Sequence, residues 1–430
     1  MKKFNKDSYL KKLKLKRNWQ RFSKYFCVGI PCVLCLVLGI YFAYSKFFVS
    51  KEQSVVRTTV GDFIYGDLVI NAYIDGEYSS TIPGKNDGYV VDKVSCDNGA
   101  VGKWNNDNWG LLTTNLSKRT KCNVYFKKLV TKVPDIISQL DTTGKCPTVN
   151  DDGSVSVTGV EATNGYLCKA PDAYGDSYYY RGNVTNNYVL FADKYWRIVR
   201  INGDGTVRVI YDGTSAHANG ESSSDRQIGT SAFNSSYNDN AYVGYMYGQT
   251  GASTYAAAHA NTNNSTIKAY IDNWYKTNIV GTTNEQYLAD NIFCNDRSIS
   301  SNKPSSSYNN LGYGTNATAY RWYYGPWSSG GYNSNMRLTC PQKNDAFTVS
   351  DTTNGNGALT YPVGLLSTDE IVLAGGWSAS NSGYYLYSGQ YWWASSPYDF
   401  SGSNAYVRNV YSKGIANYNY IVNFNSGVRP

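Results

Sequence analysis

The sequence predicts an α+β protein in three parts: an apolar N-terminal transmembrane helix, a small β-sandwich domain, and a larger head of antiparallel sheets with a few helices. Three observations carry this. Residues 26–44 hold no charge, and a helix of that length spans about 28 Å, close to the hydrocarbon thickness of a bilayer. Apolar and polar residues alternate with period two in many short runs, the mark of strands with one packed face. Helical spacings are few and never alternate with strands as βαβ units would require.

The N-terminus comes first. Residues 1–25 hold ten Lys or Arg against one acid, Asp7. A basic flank before an apolar span places that flank in the cytoplasm. Residues 26–44 are therefore expected to be an uncleaved signal anchor with the lipid bilayer as its partner. A cleaved signal peptide is the rival, but its apolar core is shorter and no small-x-small site follows. Residues 45–54 form a stalk, and the body lies outside the cell. Beyond residue 50 there are 29 bases and 31 acids, a net charge of −2. The body thus lacks the balance that binds polyanions, and nucleic acid is excluded as a partner.

Residues 55–130 read as the β-sandwich, with strands at 68–74 and 89–94, turn signals every eight to twelve residues, and Trp104 and Trp109 as core aromatics. Six cysteines lie outside the apolar span: Cys96, Cys122, Cys146, Cys168, Cys294 and Cys340. An even count in an exported chain favours disulfides. Pairing neighbours in order gives Cys96–Cys122, Cys146–Cys168 and Cys294–Cys340, one of fifteen possibilities. A zinc site is disfavoured by the wide spacings. Residues 131–164 read as a linker with a short helix at 134–140, and Asn150-Asp151-Asp152-Gly153 as a turn rather than a calcium loop.

The head follows at 165–430. Strands are expected at 187–191, 195–201 and 207–211. Helices are expected at 267–275 after the cap Ser265-Thr266, at 284–293, and at 368–374 after the cap Ser367. The end reads as a hairpin, 404–411 joined to 418–424 through Ser412-Lys413-Gly414. Tyr418, Tyr420, Val422 and Phe424 share its packed face. Asn417, Asn419, Asn423 and Asn425 share the wet one.

Catalysis needs groups whose proton affinity or nucleophilicity can be tuned. The chain has two histidines, His217 and His259, neither in a motif. No G-x-S-x-G, H-E-x-x-H or P-loop occurs. No catalytic residue, metal or cofactor is assigned. Tyrosine is abundant, 41 residues, beside Asn, Ser and Gly. Rigid amphipathic rings with adaptable amides suit a binding surface. The expected function is non-catalytic binding of an extracellular glycan or protein, as an adhesin or receptor. A concealed enzyme and a structural envelope protein are the alternatives. The contact candidates are Tyr320, Trp322, Tyr323, Tyr324 and Trp327, then Tyr385, Tyr387, Tyr391 and Trp393, with Asn417 and Asn419.

Several runs carry a resemblance: Tyr179-Tyr180-Arg181-Gly182-Asn183-Val184, Trp196-Arg197-Ile198-Val199-Arg200-Ile201, Phe293-Cys294-Asn295-Asp296-Arg297, Tyr361-Pro362-Val363-Gly364-Leu365, Tyr391-Trp392-Trp393-Ala394-Ser395-Ser396-Pro397 and Gly427-Val428-Arg429-Pro430. Together they resemble an uncharacterised family of surface-anchored bacterial proteins of the gut Firmicutes type. The likeness covers about 165–430 and, more weakly, 55–130. It implies a C-type-lectin-like or formylglycine-generating-enzyme-like head. Formylglycine-generating enzymes use two cysteines near the C-terminal end, and this chain has none beyond Cys340. The calcium motifs Glu-Pro-Asn and Gln-Pro-Asp of animal C-type lectins are also missing.

Overall fold

The computed structural model describes residues 68–430 except 75, 86–88, 106–107, 117–118, 129–132 and 327–334. The basic tail, the apolar segment 26–44 and the stalk lie outside the described residues. Among those described, 13% is helix against 34% strand, and no helix is long and apolar enough to cross a membrane. The expected α+β class with an N-terminal transmembrane helix is therefore corrected to a mostly β architecture, and the bilayer expected as partner of 26–44 has no described element behind it. One expected helix shows why the helical share is small. The stretch 284–293 closes only the 3-10 turn Glu285–Tyr287. Asp290 then leaves the helical path, and its carboxylate accepts the backbone N–H groups of Val349, Ser350 and Asp351.

The chain divides into two compact units, Met1–Lys128 and Leu129–Pro430. The first has strands β1 (Leu68–Ile74), β2 (Glu77–Ser79), β3 (Tyr89–Cys96), β4 (Val101–Asn105), β5 (Gly110–Thr114) and β6 (Thr120–Lys128). Four form a mixed sheet in the order β2-β1-β6-β3, with β1 parallel to β6. Cys122, Val124 and Phe126 alternate inward along β6. The β4–β5 hairpin packs on that face through Trp104, whose ring meets Trp109 and Phe126 edge-on at 5.4 and 5.3 Å. Cys96 and Cys122 are register partners joined by a disulfide. The sandwich is thus one sheet covered by a hairpin.

The second unit opens with β7 (Thr148–Val149) and β8 (Val155–Ser156). Next come β9 (Tyr166–Asp172), β10 (Gly175–Arg181), β11 (Tyr188–Phe191), β12 (Lys194–Ile201), β13 (Val207–Gly213) and β14 (Gly229–Ala232). Short strands follow: β15 (Met246–Tyr247), β16 (Asn263–Asn264), β17 (Phe293–Cys294), β18 (Thr318–Ala319), β19 (Asn335–Met336) and β20 (Ala346–Phe347). The unit closes with β21 (Trp392–Phe400), β22 (Ala405–Val410), β23 (Tyr418–Ile421) and β24 (Asn425–Val428). The stretch expected as a linker is part of this unit. β7 and β8 join β19 in a ladder, Val155 and Val157 enter the core, and Cys146 is bonded to Cys168.

Two sheets dominate. One runs β11-β12-β10-β9 with β13 on the edge of β12; the other runs β14-β24-β21-β22-β23. β21 is buried along almost its whole length. Successive side chains on a strand face opposite ways, so Trp392 enters one apolar cluster and Trp393 the other. Two short helices brace these clusters. Ser265 caps Thr266–Asn278, which turns Ile267, Ile271 and Tyr275 inward at spacings of four. Ser367 and Glu370 form a capping box on Thr368–Leu373. At its other end, Arg181 Nη1 donates to the Val372 and Leu373 carbonyls.

The buried arginines are internal ties. Arg226 and Arg429 share Asp212 at 2.7 and 3.0 Å, all three side chains fully buried. Arg429 also donates to the Leu386 and Tyr211 carbonyls. Arg297 pairs with Asp345, and Arg200 and Arg208 flank Glu370. Gly427 is required beside this anchor: a Cβ there would lie 2.5 Å from the Tyr391 carbonyl oxygen, which accepts the Gly427 N–H.

Candidate functional site

The hairpin β22–β23 places the candidate site. Its strands pair Asn409 with Tyr418 and Val407 with Tyr420, while Asn409 also opposes Trp393 on β21. Directly opposed residues share a face. Trp393 and Val407 therefore fill the core, and Tyr418 and Tyr420 continue the same face outward onto β23, the edge strand. The connection between the strands runs through a left-handed Gly414, φ 75°, which suits glycine because it has no Cβ. Tyr411 precedes that turn, and Tyr391 leads into β21.

These residues form a continuous aromatic stripe. Tyr391 meets Tyr411 at 4.8 Å and Tyr418 at 6.0 Å. Tyr411 meets Tyr418 at 5.3 Å. Tyr418 meets Tyr420 at 6.1 Å, and Tyr420 meets Phe424 at 5.0 Å. Tyr391, Tyr418 and Phe424 are 38%, 37% and 48% exposed, although large apolar rings generally withdraw from water. Tyr420 rests on Trp393, centroids 6.2 Å apart, so the buried ring holds up the exposed ones. A hydrogen bond to Tyr411, with burial and neighbouring phenols, pushes the Tyr391 phenol up to about 12. It is protonated and uncharged at neutral pH. The stripe thus offers ring faces, ring edges and neutral hydroxyls, a chemistry of stacking and hydrogen bonding.

The expected contact residues divide. Tyr391 belongs to the stripe. Tyr320, Trp322, Tyr385 and Trp393 are fully buried and are corrected to core residues. Their polar tips explain this: Tyr320 donates to Asn240 Oδ1, Trp322 to Asp369 Oδ2 and Trp393 to the Ser231 carbonyl, so burial leaves none of those three donors unsatisfied. Tyr323, Tyr324 and Tyr387 are half-buried, as are Asn417 and Asn419. Tyr323 stacks on Tyr398 at 4.7 Å. Asn417 Oδ1 accepts a bond from Arg408 Nη1, which ties it to the fold. Trp327 lies outside the described residues. Tyr411, Tyr418, Tyr420 and Phe424 are absent from the sequence-derived contact set because period two alone does not show which face of an edge strand extends beyond the core.

Other titratable clusters are internally committed. Both ring nitrogens of His217 face carboxylates, Glu221 at 2.7 Å and Asp225 at 2.9 Å. The bond from His217 lowers the Glu221 carboxyl below its ordinary value. Burial drives His259 down to about 2; its ring lies against Tyr255 and its Nε2 donates to the Gly312 carbonyl. Asp399, 4% exposed, is pushed up to about 7 by burial. Tyr308 donates to its Oδ2 at 2.7 Å, while its Oδ1 has no partner. Among the described residues no three His, Cys, Asp or Glu side chains gather to hold a metal ion. The expected disulfides Cys96–Cys122, Cys146–Cys168 and Cys294–Cys340 are all formed. No family model, curated protein or solved structure matches the chain.

Proposed function

We propose that this is a non-catalytic binding protein of an oxidising, extracytoplasmic compartment, which grips a glycan or protein ligand through the stripe Tyr391–Tyr411–Tyr418–Tyr420–Phe424. The observation that carries this is the stripe itself: five connected rings, three exposed and two half-buried, backed by a buried tryptophan. Contiguous exposed apolar surface on a soluble domain marks an interaction site, and tyrosine supplies contact area with little conformational entropy to lose. The three disulfides support the compartment. Both histidines are held by internal partners, which leaves neither offered to a substrate. A cell-surface enzyme is the second reading, because Asp399 has the proton affinity of a general acid. Its burial and its bond to Tyr308 place it second. The test is a glycan and protein array probed with the full chain and with Tyr391→Ala/Tyr418→Ala/Phe424→Ala. Ligands lost by the triple variant, at least tenfold, support the reading. Silence of the native chain, or equal binding by the variant, overturns it.

A further inference from the structure

A cavity of about 320 Å³ lies beside β13, lined by the walls Trp196, Trp274, Phe293 and Val363, by the strand residues Val207 and Val209, and by Pro430. Its size falls at the lower end of the range of roughly 300–1,000 Å³ used for ligand sites. It shares no residue with the tyrosine stripe.

The backbone of β13 determines what can enter. Among the described residues β13 pairs with β12 along one edge only. One register shift falls above Tyr211; the other, between Ile198 and Arg200, is taken up by an extra residue on β12, Val199, so β13 itself pairs residue by residue from Val207↔Ile201 to Tyr211↔Trp196. Tyr211 N–H points away from β12, because it donates to the Pro430 carbonyl. Amide direction alternates along a regular strand, so the backbone groups of Val209 and Val207 point the same outward way. Both residues also line the cavity. The Pro430 carbonyl takes the Tyr211 N–H at one end of this edge, and the cavity supplies apolar room for side chains beside Val207 and Val209.

We propose that this cavity is a β-augmentation site, which takes a short extended peptide from another chain, with apolar residues at alternate positions, as an added strand on β13. Main-chain bonds to Val207 and Val209 supply affinity in this mode, and the pocket for alternate side chains supplies selectivity. A small ring-shaped ligand would fill the same apolar space without using the strand edge.

The test uses the full chain, labelled for amide NMR, and the probe peptide acetyl-Thr-Val-Thr-Val-Thr-amide. The comparison peptide has the same sequence with alternate backbone nitrogens methylated, and indole serves as a ring probe. The expected result is saturable binding of the plain peptide, slowed exchange of the Val207 and Val209 amides, and at least tenfold weaker binding of the methylated peptide. Val209→Pro removes the outward donor at an edge position where proline is tolerated and weakens the plain peptide likewise. Equal binding of the two peptides, no binding of either, or indole binding with no peptide effect overturns the proposal. The arrays that test the stripe are read separately, so either reading can fail without the other.

Discussion

Asp399→Asn is expected to move stability in opposite directions at the two ends of the pH range. Burial raises this carboxyl from its ordinary 3.8 to about 7. The folded protein therefore holds the proton more tightly than the unfolded chain. The stability contributed by this group is fully present below pH 3.8 and is lost as pH rises to 7. At 1.36 kcal/mol per pH unit the loss is about 4 kcal/mol. Asparagine cannot ionise and escapes that loss. Its amide, however, places an N–H₂ group where Oδ1 has no partner, which costs about 1–3 kcal/mol at every pH. The variant should thus be less stable than the native protein at pH 4 and more stable at pH 8, by about 1–3 kcal/mol each way. Urea unfolding of both proteins at the two pH values measures this. The shift between them, about 4 kcal/mol, does not depend on the amide term. If the two stability curves run parallel within about 1 kcal/mol, Asp399 is not desolvated as described and the reasoning fails.

Other expectations are independent of it. His259, held neutral down to about 2, makes stability fall as pH drops below the ordinary 6.5, by about 1.4 kcal/mol per pH unit; His259→Phe should flatten that slope in the same urea series. Reducing the disulfides, which close separations of 26, 22 and 46 residues, should cost about 3–4 kcal/mol each, read as a fall in unfolding midpoint with a reductant. Arg429→Ala should cost about 3–5 kcal/mol, because the Tyr211 and Leu386 carbonyls lose their buried donor and the side chain leaves a cavity, while Asp212 keeps Arg226, and calorimetry would show the drop in Tm. The triple stripe variant should unfold within about 1 kcal/mol of the native chain, since these rings lie at the exposed margin.

Much of the fold could be read from local chemistry. The helix Thr266–Asn278 was legible because Ser265 caps it and Ile267, Ile271 and Tyr275 fall on one face. Thr368–Leu373 was legible from the Ser367 and Glu370 spacing. The disulfides followed from order along the chain. What failed depended on distant partners. The helix expected at 284–293 lost to three backbone bonds that Asp290 accepts some sixty residues away. The linker reading of 131–164 missed that Arg181 donates to the Val160 and Glu161 carbonyls. The site suffered most. Tyr320 and Trp322 look like loop aromatics in the sequence, and only Asn240 and Asp369 reveal them as core. Phe424 follows a period-two run that actually ends at Ile421, so its exposure was hidden by a regularity that the chain breaks.

The adjacent pair Trp392 and Trp393 has a consequence for how the second unit fails. One strand supplies a keystone to each of two oily interiors, so neither interior can melt while the other survives intact. Heat, denaturant or a protease that frees this strand should dismantle both halves together, and no half-built intermediate should accumulate.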